Sequence, residues 1–374
     1  MNVTVFFTYK MSLEEWDKLR ILDRETLVYR KLTKNEDVSF KFVTYGNEND
    51  LSYQEKLKNI EIIPIYKYLN KPDNKTLQLL QSFIAPFKLK KVIGDTDIYK
   101  TNQMYGSWFP ITLKLIRNKP LIVRTGFDLY SFGKKQNKKN TKLFFYFILT
   151  QIAILFSSLY FVTSKTDHDY LLKKYLWLNK KKLKIRPNWV SETSYENIEN
   201  RAADKVLSVG RLEGQKNMKG LIKEFRDSDI VIDIVGDGSE REDLKKLANE
   251  LNVNVNFLGL VKYDELLDLY KNYKYFVLYS DFEGHPKSLI EAMSRGCICF
   301  VKGNENTKEI IQHNFNGFII DELKESVPSF LSNKLRIKEE ISISKKAYEF
   351  SINNYSLEKT INIEKLDYEI STQK

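Results

Sequence analysis

Asp281-Phe-Glu-Gly-His-Pro-Lys-Ser-Leu-Ile-Glu-Ala-Met-Ser-Arg-Gly296 lies between two apolar runs, Tyr275-Phe-Val-Leu-Tyr279 and Cys297-Ile-Cys-Phe-Val301. Both runs read as buried strands, and the stretch between them reads as a loop followed by a helix. Pro286 suits a first helical position, and Gly284 lets the preceding loop bend sharply. The free amides of that first turn point beyond the strand ends and form a ready anion site. Glu283 falls in the loop and Glu291 about one turn inside the helix. A loop carboxylate, phosphate-ready amides and a second carboxylate on one ledge suit a sugar joined to a nucleoside diphosphate.

Working outward, the second half of the chain alternates strand and helix. Strands are expected at Lys205–Val209, Ile230–Val235 and Val255–Leu258, with helices at Lys219–Arg226, Glu240–Leu251 and Tyr263–Lys271. Short continuous apolar strands between helices of about ten residues indicate a parallel sheet covered on both faces. Gly210, Gly236, Gly238 and Gly259 fall at strand ends, where an open α/β sheet binds its ligand. The first half follows the same pattern less regularly, with strands expected at Val3–Phe7, Phe40–Thr44, Glu61–Pro64, Ile98–Lys100, Pro120–Arg124 and Tyr160–Thr163. A domain break is expected at Arg186-Pro-Asn-Trp-Val190. This gives a basic α/β domain over 1–188, a second α/β domain over 189–345, and helices over 346–374 that cross back to the first domain.

The 374 residues are comfortable for two domains of roughly 180 each. Cys297 and Cys299 are the only cysteines, and their strand spacing is read as placing them on opposite faces, poor for a disulfide. Three scattered histidines, His168, His285 and His313, make a zinc site improbable. Met1 runs directly into an apolar strand rather than a charged leader. Charge is lopsided: residues 1–190 carry 34 Lys and Arg against 17 Asp and Glu, within a whole-chain net charge of +11. Such a surface suits nucleic acid, an anionic membrane or a polyanionic substrate, and no nucleic-acid-binding motif accompanies it. Leu143–Val162 is twenty residues without a charge, long enough to span a bilayer. Thr150, Gln151, Ser157 and Ser158 interrupt it, so a helix over Thr141–Leu155 followed by a buried strand fits better, with interfacial docking as the alternative.

The opening stretch resembles the signature of retaining glycosyltransferase family 4, two glutamates with seven residues between them, here Glu283 and Glu291. Val209-Gly-Arg-Leu-Glu-Gly-Gln-Lys-Asn217 is similar to the family's glycine-arginine-leucine loop, with Arg211 and Lys216 as its basic pair. The resemblance implies that Glu283 bonds hydroxyls of the transferred sugar and that Glu291 accepts from the ribose of the nucleotide. Gly210, Arg211 and Lys216, with the loop and first helical turn at Gly284, His285, Lys287, Ser288 and Leu289, would meet the sugar and diphosphate. Fixed cations stabilise the charge growing on the leaving phosphate, by about 3–4 kcal/mol per well-placed donor. Leu260 and Val261 match the segment whose backbone reads the base. The first half departs most: its first loop, Thr8–Arg20, has no glycine, and Gly126 stands where a family histidine aligns. Asp128 or Arg124 would take over that histidine's work. Lys100–Trp108 ends a strand and is polar and aromatic, so it is expected to line the acceptor side.

The resemblance thus implies the GT-B architecture, two facing doubly wound parallel-sheet α/β domains with an interdomain cleft. It implies retaining transfer of a hexose from a nucleotide sugar, a UDP-sugar favoured, to a lipid-linked oligosaccharide or lipopolysaccharide. No cofactor or essential metal is expected. Asp95-Thr-Asp97 copies the metal-binding pair of the other large glycosyltransferase architecture, but far from the phosphate loop. An anionic membrane surface is the expected further partner, with a cytoplasmic, peripheral location on the inner face of the membrane. The rival readings are a nucleotide-sugar epimerase or phosphorylase of the same fold, and a catalytically silent nucleotide-sugar-binding subunit.

Overall fold

The computed structural model describes residues 1–35, 38–333 and 336–373. The chain forms two compact units, one of Met1–Arg186 with Thr360–Lys374 and the other of Pro187–Lys359. In the first unit seven strands form one sheet: β1 (Asn2–Phe6), β2 (Ser39–Thr44), β3 (Ile60–Pro64), β4 (Ile98–Thr101), β5 (Leu121–Arg124), β6 (Leu159–Val162) and β7 (Leu183–Ile185). Their order is β3-β2-β1-β4-β5-β6-β7, and every pairing is parallel. In the second unit β8 (Ala202–Val209), β9 (Val231–Val235), β10 (Val255–Gly259), β11 (Tyr273–Leu278), β12 (Ile298–Val301) and β13 (Phe318–Ile319) run β10-β9-β8-β11-β12-β13, again all parallel. The six strands expected in the first half and the five in the second are all present. The short edge strands β7 and β13 carry too few residues for a period to show.

Each sheet is buried on both faces, which explains the apolar runs. In the second unit Val206, Tyr275, Val277 and Phe300 pack on one face, while Leu207, Phe276, Leu278 and Val301 pack on the other. Cys297 and Cys299 both belong to the second face, which corrects the reading that they oppose one another. Residues two apart on a strand share a face. Both are free thiols, and burial pushes Cys297 up to about 12 and Cys299 higher still.

The helix Asn140–Phe156 and β6 take up the uncharged run. Among the described residues no helix is long and apolar enough to cross a membrane. The helix Ile337–Tyr355 belongs to the second unit, where Ala347 is buried and Tyr348 Oη donates to the Thr193 carbonyl at 2.6 Å. Only the following helix, Leu357–Thr372, joins the first unit, so the return falls near 360 rather than 346. Two ionic anchors hold that helix. Lys100 of β4 donates to Glu364 at 2.7 Å and 2.5 Å and to Tyr368 Oη at 3.1 Å. Arg186 forks onto Asp367 with two bonds of 2.6 Å. Arg186, at the expected domain break, is therefore a clasp for the last helix.

Candidate functional site

In a doubly wound sheet the crevice opens where strand order reverses. In the second unit that point lies between β8 and β11, and the loops leaving both strands meet there. The loop after β8 carries a short 3₁₀ turn, Gly214–Lys216, and then Asn217 in the left-handed region at φ 48°, capping the helix Met218–Glu224. The loop after β11 carries Asp281 to Pro286 into the helix Lys287–Ser294. Pro286 is the N-cap rather than the first helical residue, with φ −70° and ψ 109°. Gly284 is not among the described glycines with positive φ, so it makes no left-handed turn.

Lys216 Nζ bonds Glu283 Oε1 at 2.5 Å, with side chains only 14% and 7% exposed. These two were singled out separately in sequence, 67 residues apart, and the fold makes them an ion pair. The Lys216 stem lies over Gly210, where an added Cβ would come within 3.2 Å of it. Gly236, at φ +141°, lets β9 pass so close that a Cβ would overlap the Gly210 carbonyl at 1.9 Å. Both glycines therefore hold the loop after β8 down on the sheet.

Further bonds fix the two loops to one another. Gln215 Nε2 donates to the Phe282 carbonyl at 3.0 Å, and Asp281 N donates to the Gln215 carbonyl at 3.1 Å. Asp281 Oδ1 accepts from Asn217 at 2.8 Å and from Lys302 at 2.7 Å. Two amides clamp the turn after Glu283: Asn306 donates to the Gly284 carbonyl and Asn188 to that of His285, each at 2.6 Å. The His285 ring stands edge-on to Tyr355, with centroids 4.7 Å apart. Gln215, Asn306 and Asp281 were not foreseen. Amide clamps leave no periodic trace in sequence, and Asn188 stands out there only as part of the expected domain break.

The other candidates divide. Lys287 and Ser288 open the helix half-buried, and Leu289 is fully buried in the core. Glu291 is 1% exposed and accepts from Tyr270 Oη at 3.4 Å. Arg211 is 63% exposed with Glu213 at 3.7 Å, so the structure does not bring it onto the Lys216–Glu283 pair. Leu260 and Val261 follow β10, the first exposed and the second partly buried. Asp128 belongs to the first unit and is 1% exposed. Its carboxylate caps the helix Leu129–Lys135 through Ser131 N at 2.7 Å and accepts from Thr150 at 3.3 Å. Burial raises its pKa. The carboxylate is thus engaged with its own helix and with Thr150. Arg124 and Gly126 are tied to the Thr101–Trp108 segment, through Thr101 Oγ1 at 3.0 Å and Gln103 Oε1 at 2.8 Å. Asp97 accepts from the Asn2 amide at 2.8 Å, a strand-edge bond.

Two doubly wound parallel-sheet units of seven and six strands make the GT-B fold. Residues 192–350 match the family model described as glycosyl transferases group 1. It is similar to an Escherichia coli UDP-Gal:alpha-D-GlcNAc-diphosphoundecaprenol alpha-1,3-galactosyltransferase, 24% identical across 76% of this chain and 77% of the relative. It is also similar to the E. coli O-antigen biosynthesis glycosyltransferase WbnH, 24% identical over 79% and 84% of the two chains. Among solved structures, Anabaena Alr3699/HepE in complex with UDP and glucose superposes with TM-score 0.74 at 16% identity, over 98% of this chain and 99% of that one. Sucrose-phosphate synthase from Thermosynechococcus elongatus gives TM-score 0.79 at 14% identity, over the whole of both chains.

Proposed function

We propose that this glycosyltransferase moves a hexose, with retention of configuration, from a UDP-sugar to a lipid-linked or saccharide acceptor in surface polysaccharide synthesis. The observation that carries it is the buried Lys216–Glu283 pair at the mouth of the second sheet. A lysine there supplies the positive charge that a departing β-phosphate needs, and the adjacent carboxylate is placed to accept from sugar hydroxyls. On donor binding the pair opens, Lys216 turning to phosphate and Glu283 to the hexose. Departure of the diphosphate and attack by the acceptor hydroxyl take place on one face of the sugar, with no protein nucleophile assigned. The UDP complex of Alr3699/HepE and the lipid-diphosphate acceptor named for the E. coli galactosyltransferase support the choice of donor and acceptor class.

Nucleotide titration separates the two glutamates. Glu283→Gln is expected to bind UDP as the parent does while losing turnover, because its partner is the sugar. Glu291→Gln is expected to bind UDP at least tenfold more weakly. The reverse order in a calorimetric titration overturns the two roles, and GDP or ADP binding in place of UDP changes the assigned donor.

The second partner is the anionic inner face of the cytoplasmic membrane, met by the basic first unit. Lys134, Lys135, Lys138 and Lys139 flank a helix that exposes Phe144, Ile148, Ile152 and Leu155. Each lysine near an anionic leaflet contributes about 1 kcal/mol, screened within a Debye length. Binding to phosphatidylglycerol vesicles is expected to fall steeply between 50 mM and 500 mM salt. Glutamine at those four positions weakens it without changing UDP affinity. Salt-resistant binding that detergent alone releases overturns the peripheral model.

A further inference from the structure

The chain passes between the two units twice, between Arg186 and Pro187 and between Lys359 and Thr360. Just inside the second unit the two passages are hydrogen-bonded to one another. Val190 N donates to the Tyr355 carbonyl at 2.8 Å, and Leu357 N donates to the Val190 carbonyl at 2.9 Å. Ser356, between the helices Ile337–Tyr355 and Leu357–Thr372, is extended at φ −61° and ψ 145° and forms a parallel bridge with Val190. Val190 and Leu357 are both buried, so this short ribbon is packed rather than a loose linker. Glu192 adds a bond from the Glu358 amide at 2.7 Å.

The turn after Glu283 rests on this ribbon. A trans peptide points its N–H opposite to its carbonyl, so whatever holds a carbonyl also aims the next amide. Gln215 takes the Phe282 carbonyl at 3.0 Å and Asn306 takes that of Gly284 at 2.6 Å, which turns the Glu283 and His285 amides the other way. The His285 carbonyl is different, because Pro286 follows it and has no N–H to aim. The bond from Asn188 to that carbonyl, at 2.6 Å, therefore orients no donor and serves to tie the turn to the ribbon. A second tie reaches the other passage. The buried His285 ring stands edge-on to Tyr355, with ring planes at 78°, and Phe350 backs Tyr355 at 5.9 Å. One turn thus touches both passages.

We propose that Asn188 and Tyr355 are positioning residues for the diphosphate of the bound nucleotide: they seat the His285 turn on the ribbon, and the ribbon sets the pose of that turn. Both act through the turn rather than on the nucleotide, and their role rests on the donor reading above. A ligand that orders the turn also orders the ribbon, because the two are joined through Asn188 and Tyr355.

Calorimetric titration of the full chain with UDP and UMP tests this, with hydrogen exchange followed at the Val190 and Leu357 amides. Asn188→Asp keeps the side-chain shape but sets an acceptor where the donor was, and Tyr355→Leu removes the ring. Each is expected to weaken UDP at least fivefold and UMP less than twofold, since UMP lacks the phosphate that the turn receives. Tyr355→Phe, which keeps the ring edge, restores UDP affinity to within twofold of the parent. UDP slows exchange at both amides in the parent and not in Asn188→Asp. Parental UDP affinity in Asn188→Asp and Tyr355→Leu, or ribbon amides that UDP leaves untouched in the parent, overturns the seat and leaves the donor reading standing. Equal losses of UMP and UDP also overturn it, because they mark a damaged site rather than a misplaced turn. A parent that binds neither nucleotide removes the donor reading, and the seat falls with it.

Discussion

Lys216→Ala lowers turnover by about two to three orders of magnitude, the usual cost of removing one preorganised donor to a developing anion. The geometry makes Lys216 the larger of the two cation effects. Its ammonium is already held at the strand-order reversal, with its stem packed on Gly210, so little ordering is needed when the donor arrives. Arg211 stands apart from that pair with 63% of its side chain exposed, and Arg211→Ala is expected to cost less. The loss belongs in kcat/KM measured with UDP-sugar, while circular dichroism shows the fold retained. The same assay carries the metal question: turnover is expected to withstand EDTA. Loss on chelation with recovery in magnesium returns attention to Asp95 and Asp97. Near-parental kcat/KM in Lys216→Ala removes the phosphate assignment altogether.

The largest expected effect on stability lies elsewhere, at Glu364. Lys100 and Glu364 have side chains only 2% and 6% exposed, and Tyr368 completes the cluster. Breaking a buried pair leaves an uncompensated charge, worth about 3–5 kcal/mol. Glu364→Ala is therefore expected to release the last helix and to lower the denaturant midpoint of the first unit by a corresponding amount. A Lys100→Met, Glu364→Leu double variant, with no charge left to bury, is expected to recover most of it. Burial alone would raise the Glu364 pKa, but the Lys100 charge and the bonds from Lys100 and Tyr368 outweigh it and hold the carboxyl below the usual glutamate range. A depressed folded pKa means that this stability is complete above the unfolded value of about 4.3 and is lost as pH falls through the folded one. Acid titration of the parent then shows a component below pH 4.3 that Glu364→Gln lacks. Equal denaturant midpoints for the parent and Glu364→Ala remove the anchor.

The second unit was legible because its strands are short apolar runs buried on both faces, a pattern that survives in sequence without help from distant residues. The phosphate loop and the Glu283 loop were legible because each is local, a strand, a bend and a helix start within a dozen residues. Asp128 shows the opposite case. It was offered beside Arg124 for the work of the histidine that aligns nearby, and its carboxylate caps the next helix and meets Thr150. A cap and a catalytic acid have the same local signature. Cys297 and Cys299 show a simpler slip, since spacing of two on a strand means one face and not two.

Sequence alone determined the element types and the parallel arrangement, and singled out Lys216 and Glu283 as candidates, because hydrophobic period and loop chemistry are written within one turn or one strand. Tertiary structure decided their pairing, the clamps from Asn188 and Asn306, the anchoring of the last helix by Lys100 and Arg186, and the ribbon that joins Val190 to Ser356. Each of those depends on which strands lie side by side. Strand order is set by burial summed over a whole sheet, and no local stretch of chain records it.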